Sequence, residues 1–239
     1  MGLTLTILGC SGSYPGPGQA CSGYLIRTDT TAIWMDAGSG SLANLQRHVD
    51  LDAIDAVVLS HEHPDHCEDL SGFYVACKYY LHRQQVPVFA PASVRAKAFY
   101  KGAPLEWHIV SDGVRETVGD ITLTFSQTQH PPETLAVRAD GGGRSLGYSA
   151  DSGPAWELSA LGPGLDLALC EATYLQHDEG KADHMSARQA GHSGRRADVG
   201  RLVLTHLQPG LAPADARAEA ELAFGRVVDV ALIHEVYEV

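Results

Sequence analysis

The chain has 239 residues, of which 44% are hydrophobic and 19% are charged, and its formal net charge is −12 at pH 7. The length is ordinary for one large domain with a substantial core, so we predict a single domain over residues 1–239. The negative charge disfavours long RNA or DNA as a partner, because nucleic-acid affinity depends mainly on lysine and arginine that neutralise phosphates. No apolar run approaches the roughly 18 residues that a transmembrane helix needs, so no membrane association is expected.

The amino-terminal residues 1–8 lack the basic start and the long apolar middle of a signal peptide, and they are predicted to form a strand. Five cysteines without regular spacing are typical of free thiols in a reducing compartment rather than of a disulfide framework. Both observations predict a cytoplasmic protein.

The first third of the chain alternates strand-like and helix-like segments. Strands are predicted over residues 3–8, 24–27 and 32–36, a glycine-proline loop over 12–18, a helix after Ser39, a strand from Asp55 and a second helix over about 65–80. That second helix carries four aromatic residues, Phe73, Tyr74, Tyr79 and Tyr80. Core packing explains most of them, and a subunit contact in a homodimer is the alternative for the rest.

The rest of the chain continues as a meander and then returns to alternating order. The meander strands are predicted over residues 121–126, 134–138 and 145–149. After them we predict strands over 165–170, 201–204 and 227–233, with helices from about 186 and over 213–224. Meandering strands with helices outside them predict a sandwich of two sheets between two helical layers.

The most informative segment follows the strand that begins at Asp55. Four metal ligands occur within six residues, namely His61, His63, Asp65 and His66. His61 and His63 alternate at the strand exit and can meet one cation, while Asp65 and His66 follow one turn later and can meet a second. Imidazole and carboxylate ligands suit zinc, with manganese or iron as alternatives, and two such ions activate a water for hydrolysis. The alternative is a polar loop that is rich in histidine by chance.

Three later residues can complete a two-metal site. His130, Asp151 and His206 each follow a predicted strand. His130 would be the third histidine of the first metal, Asp151 the carboxylate between the metals, and His206 the third ligand of the second metal. Taken singly, each could instead be a surface or capping residue. Ligands at the ends of neighbouring strands converge at one sheet edge, so their joint placement favours the metal site.

Asp36 ends the third predicted strand, in the segment Ile33–Gly38. A carboxylate at that point could accept a hydrogen bond from a ligand imidazole and so orient it. The competing interpretation is a turn residue or a helix cap.

In their order along the whole chain, these positions resemble the five motifs of the metallo-β-lactamase superfamily: Asp36, the run from His61 to His66, His130, Asp151 and His206. The resemblance implies an α/β fold, an αββα sandwich of two mixed sheets between outer helical layers. It is specific for the fold and weak for the substrate, because the superfamily cleaves lactams, thioesters and phosphodiesters.

Two further segments, residues 170–173 and 183–187, are similar to motifs of the ribonuclease Z-like phosphodiesterase branch. The similarity implies that Glu171 orients His184, and that His184 contacts the phosphate or protonates the leaving oxygen. It implies a catalytic role for Glu171 and His184 beside the ligand Asp65. Without the resemblance, Glu171 could cap a helix and His184 could be a loop residue.

This chain has no room for the long tRNA-binding arm of ribonuclease Z, since only residues 131–150 separate the third motif, His130, from the fourth motif, Asp151. The chain therefore looks most like compact bacterial cyclic-nucleotide phosphodiesterases of this superfamily. The resemblance implies a two-metal phosphodiesterase for a small anionic substrate, cAMP above all, that yields a 5′-nucleotide. The alternatives are an RNA 3′-processing endonuclease, a thioester or lactone hydrolase, and a metal-binding scaffold without catalysis.

Overall fold

The computed structural model describes residues 2–239. Within that range the strands follow one another as β1 (Thr4–Gly9), β2 (Gly23–Arg27), β3 (Ala32–Ala37), β4 (Ala56–Val58), β5 (Val86–Ala90), β6 (Leu105–Ile109), β7 (Arg115–Val118), β8 (Ile121–Gln127), β9 (Leu135–Gly141), β10 (Arg144–Tyr148), β11 (Leu167–Glu171), β12 (Arg201–Thr205), β13 (Val228–Val230) and β14 (Val236–Glu238). The α-helices are α1 (Ser41–Leu45), α2 (Pro64–Cys67), α3 (Leu70–Tyr79), α4 (Ala92–Lys97), α5 (Ala187–Arg196) and α6 (Pro213–Phe224).

The strands form two sheets of seven. The first sheet has the order β14-β1-β2-β3-β4-β5-β6 and the second the order β13-β12-β11-β10-β9-β8-β7. In the first sheet β14 to β3 are antiparallel and β3 to β6 are parallel. In the second sheet β7 to β10 are antiparallel and β10 to β13 are parallel. The prediction of two mixed sheets is therefore confirmed.

Three apolar layers hold the sandwich together, and they follow from the alternation of side chains along each strand. On β3, for example, Ile33 and Met35 pack between the sheets, whereas Trp34 packs on the helices outside the first sheet. On β11, Leu169 faces the space between the sheets and Cys170 faces α5 and α6. Two helical layers thus cover the outer faces of the two sheets, as the αββα prediction requires.

The long helix predicted over residues 65–80 is wrong in one respect, because the structure divides it into α2 and α3. Asp69 lies between these two helices. Its carboxylate accepts a hydrogen bond from the backbone of Leu42 on α1, at 2.9 Å. On α3, Phe73 and Tyr74 are buried in the core while Tyr79 and Tyr80 are exposed. The homodimer suggested by these aromatics stays a prediction.

Other differences concern short edge elements. The last predicted strand is shorter than expected, since β13 covers only Val228–Val230. The sequence patterns also missed β5, β7, β14 and α4, which are short and lie at or near the sheet edges. Among residues 2–239, no helix combines the length and the apolar character needed to cross a membrane.

Candidate metal centre and active site

The predicted site residues meet at one edge of the sandwich. In the first sheet β3 is parallel to β4, and in the second sheet β10, β11 and β12 are parallel to one another, so the carboxyl ends of these strands lie together within each sheet. Asp36 lies in β3, the metal motif follows β4, Asp151 follows β10 and His206 follows β12. His130 follows β8, which runs in the same direction as β10 because both pair antiparallel with β9.

The first ligand group consists of His61, His63 and His130. The Nε2 atom of His61 lies 3.0 Å from Nδ1 of His63, which lies 3.3 Å from Nε2 of His130. The Oδ2 atom of Asp151 lies 3.6 Å from the His61 nitrogen and 3.8 Å from the His130 nitrogen. These four residues can hold one cation together.

The second ligand group consists of Asp65, His66 and His206. Oδ2 of Asp65 lies 3.3 Å from Nε2 of His206 and 3.7 Å from Nε2 of His66. The other oxygen of Asp151, Oδ1, lies 3.2 Å from the His66 nitrogen and 3.3 Å from the His206 nitrogen. Asp151 therefore stands between the two groups with one oxygen directed to each.

The geometry of both groups fits a divalent metal. Two ligands of one tetrahedral zinc, with bonds of about 2.0–2.1 Å, lie roughly 3.3–3.4 Å apart. The distances between ligand atoms given above, from 3.0 to 3.8 Å, scatter around that value. Two of the atoms concerned, Nε2 of His66 and Oδ1 of Asp151, are fully buried and have no hydrogen-bond partner. Buried polar atoms without a partner are costly, and a shared cation would satisfy both.

The electrostatics of the centre also favour cations. Burial lowers the pKa of His61 well below its ordinary value, and burial with the neighbouring His130 lowers the pKa of His63, so both rings stay neutral as metal ligation requires. Burial opposes ionisation of Asp151, yet the charges of His206 and His66 hold its pKa well below the ordinary value. Burial likewise disfavours a charged His66, but Asp151 and Asp36 raise its pKa well above the ordinary value. The carboxylates of Asp151 and Asp36 thus favour a positive charge in the metal centre.

Asp36 fixes the orientation of two ligand imidazoles. Its Oδ2 accepts a hydrogen bond from Nδ1 of His66 at 2.7 Å and from the hydroxyl of Ser60 at 2.9 Å. Because the Ser60 proton is used in that bond, its oxygen must accept from Nδ1 of His61, which lies 3.0 Å away. In the neutral form of each ring, which metal binding requires, Nε2 of His66 and of His61 is consequently the nitrogen without a proton, and it is directed to a metal position. The hydrogen bond predicted for Asp36 is present.

A second chain of hydrogen bonds orients His206. The Thr173 hydroxyl donates to Oε2 of Glu171 at 2.7 Å, so its oxygen accepts from Nδ1 of His206 at 2.9 Å. Glu171 is completely buried and ends β11, where it lies opposite Thr205 in the register with β12. The carboxylate of Glu171 therefore acts on a metal ligand through one hydroxyl group.

The same carboxylate also holds His184. Oε1 of Glu171 accepts from Nδ1 of His184 at 3.0 Å and from the backbone of Ser152 at 2.6 Å. Burial alone would lower the pKa of His184, but the hydrogen bond with Glu171 raises it to about 9. A nitrogen of His184 lies within 4.8 Å of ligand atoms of Asp151 and His206. His184 is thus protonated at neutral pH and close to the metal positions. It forms a third group of possible ligands with Asp151 and His206, and it is also within reach of a bound substrate.

Several site residues hold unusual backbone conformations. Asp36, Ala150 and His206 have positive φ angles of 54°, 49° and 57°, and so does Ser13 at 62°, whose backbone N–H donates to Asp65 at 2.8 Å. Non-glycine residues adopt this region at a cost that persists only where surrounding contacts fix them. A Cβ on Gly12 would overlap the His206 ring, so the glycine-rich loop lies directly against this ligand.

Four contributors were missed by the sequence: Ser13, Ser60, Thr173 and Tyr148, whose hydroxyl donates to Asp36 at 2.7 Å. Ser60 precedes His61 directly, and Thr173 ends the segment 170–173 that resembles a motif of the phosphodiesterase branch, so these two residues carried a signal in the sequence. His130 is held by the Asp183 carbonyl at 2.9 Å, a contact that no sequence pattern indicates. His234 lies between β13 and β14, forms a hydrogen bond with His48 at 3.0 Å and joins none of the hydrogen bonds described above.

Comparison with known proteins places the chain among metallo-hydrolases. Residues 31–207 match the family described as the beta-lactamase superfamily domain. The protein is 34% identical to the uncharacterized protein Rv1339 of Mycobacterium tuberculosis, over 98% of this chain and 92% of that protein. It superimposes on the crystal structure of the metallo-beta-lactamase fold protein YhfI from Bacillus subtilis with a TM-score of 0.92 at 30% identity, covering 99% of both chains. A ribonuclease Z from Mycobacterium sp. strain KMS is 28% identical over 95% of this chain and 93% of its own length.

Proposed function

The chain belongs to the beta-lactamase superfamily and is a hydrolase of the metallo-β-lactamase fold, and from this we propose that it is a two-metal phosphodiesterase for small phosphodiesters. The favoured substrate is a 3′,5′-cyclic nucleotide such as cAMP, and the product is the 5′-nucleotide. The favoured metal is Zn²⁺, since imidazole nitrogens dominate the ligand set.

One observation carries the proposal, namely the pairing of His184 with Glu171 at 3.0 Å next to the metal ligands. A sugar alkoxide is a poor leaving group, so its departure from phosphorus benefits from a nearby acid. A histidine whose pKa is raised to about 9 holds the required proton at neutral pH. Hydrolysis of a lactone or thioester has no evident need for this second carboxylate–histidine pair.

Two bound cations would supply a nucleophile from water at neutral pH and would balance charge on the phosphoryl oxygens. Water adds to phosphorus and the bond from phosphorus to the 3′-oxygen breaks. His184 gives its proton to that oxygen, and Glu171 stabilises the charged imidazole before the transfer. The attacking water gives up a proton to solvent and a solvent proton restores His184, so the net reaction consumes one water and converts the phosphodiester into a phosphomonoester.

The architecture supports a small substrate. Residues 131–150 are taken up by the hairpin of β9 and β10 and carry no protruding arm. The formal net charge of −12 disfavours a long polyanion. Beside the metal motif lies a cavity of about 320 Å³, lined in part by Glu62, Pro64 and Tyr100. Phe99, also in its lining, is 83% exposed, which offers an aromatic face for a nucleobase.

A second candidate function is RNA 3′ processing, which the similarity to a ribonuclease Z favours. It would require that the acidic chain grip RNA through a surface other than the missing arm. A thioester or lactone hydrolase is a third candidate, since such enzymes of this fold would use the same metal ligands.

A turnover panel tests the proposal directly. The zinc-loaded protein is offered cyclic nucleotides, linear dinucleotides, a tRNA precursor and thioesters, with the chelator-treated protein and the His184→Ala variant as controls. We expect the highest kcat/KM on a cyclic nucleotide, with loss of activity in both controls. Faster cleavage of the tRNA precursor, or turnover of thioesters that is insensitive to His184→Ala, would contradict the proposal.

A further inference from the structure

Two buried tyrosines span the interface between the sheets near the metal centre. Tyr24 lies on β2 of the first sheet, and Tyr148 is the last residue of β10 in the second. Their rings pack 5.0 Å apart at 59° within the apolar core between the sheets. Each hydroxyl nevertheless has a polar partner on the opposite sheet.

Tyr148 reaches Asp36. Its hydroxyl donates to Oδ2 of Asp36 at 2.7 Å, and both residues are buried. The same carboxylate oxygen accepts from His66 and from Ser60, and Ser60 in turn orients His61. A hydroxyl of the second sheet therefore helps to fix one member of each ligand group on the first sheet.

Tyr24 makes the reciprocal contact. Its hydroxyl lies 2.8 Å from the hydroxyl of Thr205, the last residue of β12. The next residue is His206, which leaves the strand with a φ of 57°. This hydrogen bond links the end of β12 to the first sheet. The end of β12 presents His206, a ligand of the second group.

Each metal position takes ligands from both sheets, so the distance between the sheets sets the distances between ligands. His61 and His63 come from the first sheet and His130 from the second, while Asp65 and His66 come from the first and His206 from the second. Apolar packing between sheets is non-directional and allows small sliding movements. Hydrogen bonds have narrow ranges of distance and angle, and they can remove that freedom.

We propose that Tyr24 and Tyr148 are positioning residues that hold the ligands of the first sheet in register with those of the second. The inference rests on the two-metal centre of the proposed function, but not on its substrate. In the described hydrogen bonds, neither tyrosine hydroxyl is bonded to a residue of the two ligand groups. They act through Asp36 and Thr205.

The test is a metal titration of Tyr148→Phe against a matched control, Tyr237→Phe. Tyr237 is buried in the same core between the sheets, but its hydroxyl donates to Glu235 at 2.6 Å, away from the ligands. Zinc affinity is measured by competition with a chelator, and the visible absorption of the cobalt-loaded protein reports ligand geometry. The thermal midpoint of the metal-free proteins measures the purely structural loss.

We expect Tyr148→Phe to weaken zinc binding by the ~10–100-fold typical of lost partners of metal ligands, and to change the cobalt spectrum. Tyr24→Phe should show the same change at smaller size, and Tyr237→Phe should leave both readouts unchanged. Equal zinc affinities and spectra in Tyr148→Phe and Tyr237→Phe would overturn the inference. If the unmodified protein bound no zinc, the two-metal centre itself would fail, which is a separate result.

Combining the change with Asp36→Ala guards against a general loss of folding. If Tyr148 acts through Asp36, the double variant should bind zinc as weakly as Asp36→Ala alone, because the acceptor of the hydrogen bond is already absent. Losses that multiply in the double variant would mean that Tyr148 acts by another route, and the proposal would be wrong for that residue.

Discussion

The two ligand groups share Asp151 but differ in how their side chains are held by hydrogen-bond partners outside the metal centre. In the second group Asp65, His66 and His206 are all buried, and each has a partner outside the centre. In the first group His61 has such a partner in Ser60, whereas the ring of His63 is half-buried and its described hydrogen bonds go only to His61 and His130.

Charge differs as well. The second position has a carboxylate of its own in Asp65, in addition to the shared Asp151, while the first position has three imidazoles and the shared carboxylate only. Preorganised and more negative ligands bind a divalent cation more tightly. We therefore expect the second position to anchor its metal and the first to be the more exchangeable and solvent-facing one.

The largest effect should come from Asp151, on which both positions depend. Asp151→Ala removes the charge that balances two cations at short range, so both metals and the activity should be lost while the fold survives. The loss should exceed the ~10–100-fold change caused by outer partners. Elemental analysis and circular dichroism check this, and a variant with two metals and normal turnover would show that the bridge lies elsewhere.

His184→Ala should come next, with kcat on cAMP lowered by the ~10²–10⁴-fold of a lost general acid and metal content near normal. A p-nitrophenyl phosphodiester has a leaving group that needs little protonation, so the variant should hydrolyse it much closer to the normal rate. Equal losses on the two substrates would leave His184 as a phosphate-binding, metal-binding or structural residue. This measurement separates the chemistry of the site from its metal affinity.

Stepwise removal of metal tests the asymmetry itself. With increasing chelator, the first position should empty before the second, with dissociation constants at least about 10-fold apart given the missing partner of His63. His130→Ala should then retain about one metal per chain, whereas His206→Ala should weaken the tighter position. Simultaneous loss of both metals in every titration would remove the distinction between the two groups.

The pH profile on a substrate with a poor leaving group should depend on Glu171. His184 serves as an acid only while protonated, so activity should fall as the pH rises through its pKa of about 9. Glu171→Gln removes the charge that raises this pKa, so the falling limb should move toward neutral pH. An alkaline limb at the same pH in both proteins would assign it to another group.

The smallest effect is expected at Phe99, outside both ligand groups. If a nucleobase stacks there, Phe99→Ala should raise KM for cAMP by about 5-fold, which corresponds to roughly 1 kcal/mol of stacking, with kcat unchanged. Methyl p-nitrophenyl phosphate, which lacks a base, should be unaffected. Tyr80→Ala, at an exposed aromatic outside this cavity, is the matched control.

The sequence alone predicted the elements that carry strong local patterns. The helix over Pro213–Phe224, which has a proline in its first turn and Gly225 at its end, and the alternating strand β8 were predicted almost residue for residue, because these signals lie within or next to each element. The motif from His61 to His66 was readable for the same reason, since four ligands lie within six residues. The division of α2 from α3 was missed because it depends on Asp69 meeting the backbone of α1.

What only the tertiary structure decided is how distant residues meet. His130, Asp151 and His206 could be nominated from the sequence, but the directions of β8, β10 and β12 bring them within bonding distance of one cation pair. The tyrosine contacts across the sheets and the threonine between Glu171 and His206 left no trace in periodicity. Local patterns record burial, whereas a metal centre requires atoms placed to within fractions of an ångström by strands far apart in the chain.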